Sequence, residues 1–199
     1  MNRCVYLTIV LFAAMGPVLP LCAQATPNAK IPTPLEVTLA YSQLRSNGTA
    51  AACGCFWMQG GKVEFNLALI GNFSAVGELA GHHATDINSA HEDLSLVTYL
   101  FGGRYSYRRY RHVTPFAQVL IGGVHGFDAL FPTASGSTIV PDAFALTAGG
   151  GLNIRVSRYL AIRPAQVDYL QTRLPNDAAN RENSLRLGAG IVFLINPSR

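Results

Sequence analysis

The feature that most narrows the fold is an alternation of apolar with polar or small residues, repeated in eight separate stretches. Period-two alternation marks a strand whose two faces meet different surroundings. From Leu35 to Ser42, Leu35, Val37, Leu39 and Tyr41 share one face, and Glu36, Thr38, Ala40 and Ser42 share the other. The pattern returns over Phe56–Leu69, Phe73–His83, Leu94–Tyr107, Pro115–Phe127, Ala143–Val156, Leu160–Arg173 and Ser184–Ile195. In the seventh stretch the phase slips: Leu160 and Ile162 oppose Arg163, then Val167 and Tyr169 oppose Gln166 and Asp168. One extra residue near Pro164 repairs it, and a proline inside a strand belongs at a bulge.

The connections alternate in length. Ile70–Asn72, Arg108–Thr114 and Ser157–Tyr159 are short, whereas Leu44–Cys55, Ala84–Asp93, Asp128–Asp142 and Leu174–Asn183 are longer. Short turns on one side and long loops on the other are expected of a membrane barrel, with the short turns periplasmic. An even strand count puts both chain ends on that same side.

Composition then removes the competitors. Asp, Glu, Lys and Arg make up 13% of the residues, against roughly 25% in ordinary soluble domains. Beyond the leader no apolar run approaches the ~18 residues of a membrane-spanning helix. Backbone in lipid must satisfy its own hydrogen bonds, and without helices only a closed barrel does so. A soluble β-sandwich also alternates, but its outer face would be richly charged; here the polar faces carry many Gly, Ala, Ser, Thr and Asn. The expected fold is all-β, an eight-stranded antiparallel up-and-down transmembrane barrel over 35–195. A soluble periplasmic barrel would instead turn its apolar residues inward.

The chain opens with Asn2-Arg3, an uncharged apolar run from Val5 to Met15, helix-breaking Pro17 and Pro20, and small residues around Ala23 and Ala25. That order reads as a secretory signal over 1–25, cleaved after Ala23 or Ala25, with a Pro-rich leader over 26–34 and a short tail over 196–199. The expected location is the outer membrane. The formal charge is +4, one unit of it from Arg3. No basic stripe suits nucleic acid, and Arg108-Arg109-Tyr110-Arg111 reads as a solvated turn. The expected partners are outer-membrane lipid and, during assembly, the barrel-insertion machinery; the sequence names no extracellular ligand.

Leu100-Phe101-Gly102-Gly103-Arg104-Tyr105-Ser106-Tyr107, Thr114-Pro115-Phe116-Ala117-Gln118 and Ala161-Ile162-Arg163-Pro164 resemble the small OmpA-like outer-membrane β-barrel domain family, over roughly Leu35 to Phe193. The resemblance implies an eight-stranded antiparallel barrel with no enzymatic group in common. The chain stops soon after the last strand, so the peptidoglycan anchoring of two-domain relatives is not expected. Arg186, Gly188, Ile191 and Phe193 look like the terminal signal read by the insertion machinery: a polar residue, Gly two later, then apolar residues three and five beyond. Asn196-Pro197-Ser198-Arg199 extends past the usual terminal aromatic.

Charged residues on the polar faces are Glu36, Glu64, Glu78 and Asp168 against Lys62, Arg104, Arg155, Arg163 and Arg186. An eight-stranded lumen is just wide enough for side chains to fill, and unpaired charges there are costly. A structural network of Glu64, Glu78, Arg104, Arg163, Asp168 and Arg186 is therefore expected, with Glu78, Arg104, Asp168 and Arg186 at its centre; a gated pore or proton path is the functional alternative. No catalytic, cofactor or metal residues are expected. His82, His83 and His91 with Glu92 and Asp93 flank one loop, where histidines are ordinarily solvated. Cys53-Gly54-Cys55 is too tight for an ordinary stabilising disulfide, leaving free thiols, a strained bridge, metal binding or cross-linking open. A lipid-modifying enzyme would need a serine beside a histidine at the lipid boundary; no His-x-Ser occurs on a strand, and His82 with Ser95 is the one cross-strand approach that suggests itself.

Overall fold

The structure, a computed structural model, describes residues 35–47, 55–85, 93–127, 131–133, 136–138, 142–174 and 181–195. The signal, leader and tail segments lie outside these residues, as do Cys53, His91 and Glu92. Among the described residues there are ten strands: β1 (Leu35–Asn47), β2 (Cys55–Ile70), β3 (Phe73–Ala84), β4 (Leu94–Ser106), β5 (Val113–Phe127), β6 (Phe131–Thr133), β7 (Gly136–Thr138), β8 (Asp142–Arg155), β9 (Leu160–Thr172) and β10 (Glu182–Ile195). Eight close into an antiparallel barrel in the order β1-β10-β9-β8-β5-β4-β3-β2, and β6 pairs only with β7. Each barrel strand therefore pairs with the barrel strands before and after it in the chain, and β1 with β10 closes the ring, so no strand of the barrel has an unpaired edge.

Alternation sets which way each strand faces. Along β3, Ser74, Val76, Glu78, Ala80, His82 and Ala84 are buried in the lumen, while Phe73, Leu79 and His83 are exposed. The outer wall carries a continuous apolar band that includes Leu39, Phe65, Leu67, Leu79, Phe101, Val119, Ile121, Val167 and Ile191. A soluble monomer rarely exposes more than a few hundred Å² of contiguous apolar surface; hydrocarbon is the solvent this wall suits. Aromatic side chains fringe the band, with Phe73, Tyr105, Tyr107 and Tyr159 toward the short turns and Trp57, Phe144 and Tyr169 toward the long loops.

The phase slip in the seventh stretch is a bulge. Pro164 and Ala165 both face outward, and the pairing of β9 shifts there against β10 and against β8. The tight β2–β3 turn needs Gly71, whose φ of 57° is a left-handed conformation that side chains bearing a Cβ resist.

Two expectations change. β1 runs on to Asn47, pairing Arg45 with Trp57 and Asn47 with Cys55. Its outward residues beyond Tyr41 are Gln43 and Arg45, which end the apolar alternation without ending the strand, because the wall has left the apolar band. The hairpin β6–β7 lies in what reads from the sequence as a plain loop; its strands of three residues are too short to show a period.

Candidate functional site

The lumen holds the chain's concentration of buried charge. Lys62 and Glu64 enter from β2, Glu78 from β3, Arg104 from β4, Arg163 and Asp168 from β9 and Arg186 from β10, all buried. Burial on this scale requires partners, since an ion loses several kcal/mol of hydration on leaving water. They are present as two clusters. In the first, Arg104 Nη2 and Arg163 Nη1 converge on Glu64 Oε1 at 2.5 and 2.8 Å. Arg104 also donates to Gln118, and the ring of Phe116 lies 4.1 and 4.6 Å from the two guanidinium carbons.

In the second cluster Arg186 Nη2 lies 2.6 Å from Glu78 Oε1 and 2.9 Å from Asp168 Oδ2. Lys62 Nζ donates to Glu78 Oε2 at 2.9 Å and lies 3.5 Å from Asp168. Two residues tie the clusters together. Gln166 accepts from Arg163 at 2.8 Å and donates to Asp168 at 2.9 Å, and Lys62 Nζ stands 3.7 Å from Glu64. Gly149 makes room: a Cβ there would come within 2.6 Å of the Asp168 Cα.

This grouping corrects the expected centre. Arg104 does not join Glu78, Asp168 and Arg186; it sits with Glu64 and Arg163. Lys62, which the expected network left out, bridges both clusters. Arg155 is exposed at the short-turn end rather than buried in the web. The reason is axial level: parity tells that a side chain points inward, but the tilt of the strands decides which inward residues share a layer.

A second layer was not anticipated. Leu44, Met58, Leu96, Val124, Leu170 and Leu174 turn inward and pack with Leu100 and Leu120 as an apolar cluster, on the loop side of the charged web. At the short-turn end Ala161, Val192 and Leu194 form a smaller apolar group. The signal was visible in β4, where Leu94, Leu96 and Leu100 share the parity of Thr98 and Arg104. The lumen is thus layered along its axis, and each guanidinium of the web keeps one terminal nitrogen without a protein partner: Arg104 Nη1, Arg163 Nη2 and Arg186 Nη1.

The histidines divide by parity. His82 faces the lumen, its Nε2 2.8 Å from Ser42 Oγ. His83, not His82, meets Ser95: the two are register partners, and Nδ1 lies 2.9 Å from Oγ on the outer wall. His125 Nδ1 lies 2.7 Å from Asp142 Oδ1, on the next strand pair. A serine–histidine contact and a histidine–carboxylate contact therefore exist, in separate pairs. Arg186, Gly188, Ile191 and Phe193 lie on β10, Arg186 inward and Ile191 and Phe193 on the apolar outer wall.

No protein-family model matches the chain, and no curated protein sequence does. Solved structures do. Ail, the attachment invasion locus protein of Yersinia pestis, aligns over 82% of this chain and 99% of its own with a TM-score of 0.55 at 13% identity. Neisserial surface protein A aligns over 80% and 96%, with a TM-score of 0.63 at 12% identity. The outer membrane protein OprG of Pseudomonas aeruginosa aligns over 82% and 96%, with a TM-score of 0.55 at 7% identity. At such identities the likeness establishes the fold, the eight-stranded barrel of outer-membrane proteins.

Proposed function

We propose that this chain is a non-enzymatic outer-membrane β-barrel with a sealed lumen, serving envelope integrity or carrying surface-interaction loops. The observation that carries the reading is the layering of the lumen between an apolar outer wall and itself. An ion-paired web closes the middle, and the apolar group of Leu44, Met58, Leu170 and Leu174 closes the loop side. An ion crossing this interior would need to displace paired charges and then pass a mainly apolar layer, where the buried hydroxyls of Thr98, Thr147 and Thr172 are few against the water it would lose. The lipid-facing band, its aromatic fringes and the shared fold support the outer membrane as the location. Export by the leader and insertion through Arg186, Gly188, Ile191 and Phe193 complete the proposal.

Planar-bilayer recording with the folded, heat-modifiable protein tests the seal. The expected trace is flat at ±100 mV; stepwise conductance at low protein concentration would instead make it a small porin.

The alternative is a lipid-modifying enzyme, favoured by the His83–Ser95 contact at the wall. Histidine–carboxylate orientation, the usual third part of such a site, is seen at His125 and Asp142. Lipid A mass spectra from cells overproducing the wild type and Ser95→Ala are expected to be identical. A shifted acyl pattern in the wild type alone would replace the present reading.

A further inference from the structure

We infer that the mouth of the barrel at the short-turn end is a binding site for a small oxyanion, a phosphate or carboxylate group. The basic run Arg108-Arg109-Tyr110-Arg111 is a turn, as its sequence suggests, but it does not simply project into solvent. Arg108, Tyr110 and Arg111 line a cavity of about 270 Å³ together with Glu36, Asn153 and Arg155. The peptide N–H of Arg155 donates to the carbonyl of His112 at 2.7 Å. That bond pins the end of β8 against the turn and brings its guanidinium to the same cup.

The charge there is unbalanced by construction. Among the described residues Glu36 is the one carboxylate of the cup, and it is already engaged: Asn66 Nδ2 donates to Oε2 at 2.8 Å, and Arg108 Nη2 lies 3.8 Å from Oε1. Among the described residues no carboxylate pairs with Arg111 or Arg155. Arg108 is held by the Gly71 carbonyl, to which its Nη1 donates at 3.3 Å, which leaves Arg111 and Arg155 as cations of the lining that an anion able to take their N–H donors would suit. The rest of the lining suits the same guest. Ser106, Tyr110 and Thr114 bring hydroxyls. Asn153 Oδ1 accepts from Arg163 Nε at 2.8 Å, which leaves its amide N–H groups as donors.

The position selects the kind of guest. Ser106, Ala161 and Leu194 of the cup are buried on the inner side of the wall, whereas lipid phosphates meet the outer side. A water-borne or wall-attached anion fits, and a bilayer headgroup does not. That the guest comes from the periplasm rests on the outer-membrane reading; that the cup binds it does not.

Calorimetric titration of the full-length barrel in zwitterionic micelles, at constant ionic strength in chloride, tests the site with two probes. Pyrophosphate stands for phosphate groups and tricarballylate for carboxylates. The expected result is saturable 1:1 binding of at least one probe, weakened tenfold or more by Arg111→Ala with Arg155→Ala. Arg158→Ala is the control: its guanidinium lies 4.8 Å over the Tyr159 ring, outside the cup, and binding should be unchanged. Binding of one probe names the oxyanion class, and binding of both with mutual competition names their shared chemistry. Retained heat-modifiable mobility shows that each variant is folded. No saturable binding of either probe overturns the inference, and so does an equal loss in Arg158→Ala, which would mean diffuse attraction to a basic end.

Discussion

Arg155 and Arg163 stand at opposite sides of one short turn, yet they live under opposite electrostatic rules. Arg163 is fully buried, and its guanidinium reaches Glu64, Gln166 and Asn153, each at 2.8 Å. Arg155 is exposed in a cup it shares with Arg108 and Arg111, whose carboxylate, Glu36, is engaged by Asn66 and Arg108. The difference teaches what burial demands. In the web every cation must meet a carboxylate, because water cannot stabilise it there. At the mouth water does so, and like charges can gather for another purpose. Charge in the web is structural by compulsion, while charge at the mouth is free to serve recognition.

The hardest blow to that contrast is Glu64→Gln. It removes the carboxylate shared by Arg104 and Arg163 and leaves two buried cations close together beside the Phe116 ring. Breaking a buried pair by deleting one partner costs about 3–5 kcal/mol. The expected result is a loss of that size in urea unfolding from lipid vesicles, followed by fluorescence of Trp57, the chain's single tryptophan. A loss below about 1 kcal/mol would mean that water reaches the web, and the distinction between the two regions would fail.

The second break targets the other side of the wall. Ile121 lies near the middle of β5 and is 52% exposed, which in a bilayer means exposed to hydrocarbon. Ile121→Arg is expected to cost about 2–4 kcal/mol in vesicles, the range for a cation on the lipid face near the midplane. The same guanidinium that is obligatory and paired inside is then unpaired and expelled outside. If Ile121→Arg unfolds at the wild-type urea concentration, the apolar band is not facing lipid.

How much of this was legible beforehand follows from which properties are local. Inward or outward is local: parity alone sends Glu64 and Phe65 to opposite sides, and eight such stretches with alternating connection lengths define the barrel. The bulge at Pro164 is local too, because a phase slip and a proline coincide. Which charges share a layer is not local. Arg104 meets Glu64 from two strands away because strand tilt sets their heights together, and nothing in the spacing of β2 and β4 states that tilt. The inward leucines escaped for a related reason: Leu44 and Leu170 have the parity of polar residues, and a search for ionic groups on that face passes over them. The cup escaped because a basic turn looks the same in sequence whether its side chains converge or spread.

Arg155→Ala gives the smallest effect and sharpens the comparison most. If the mouth is free of structural duty, removing this side chain should change unfolding stability by no more than about 0.5 kcal/mol, as for exposed positions with no buried partner. The backbone bond from Arg155 to His112 is retained in the variant, so the turn keeps its anchor. Relief of repulsion from Arg108 and Arg111 adds a slight stabilising contribution at low salt, which screening should erase as ionic strength rises. Unfolding midpoints of wild type and variant at 20 mM and 500 mM salt read both parts. Convergence of the two proteins at high salt, with the variant equal or slightly more stable at low salt, is the expected pattern. A variant less stable at every salt concentration would make Arg155 a structural residue after all, and would place the mouth under the same rule as the web.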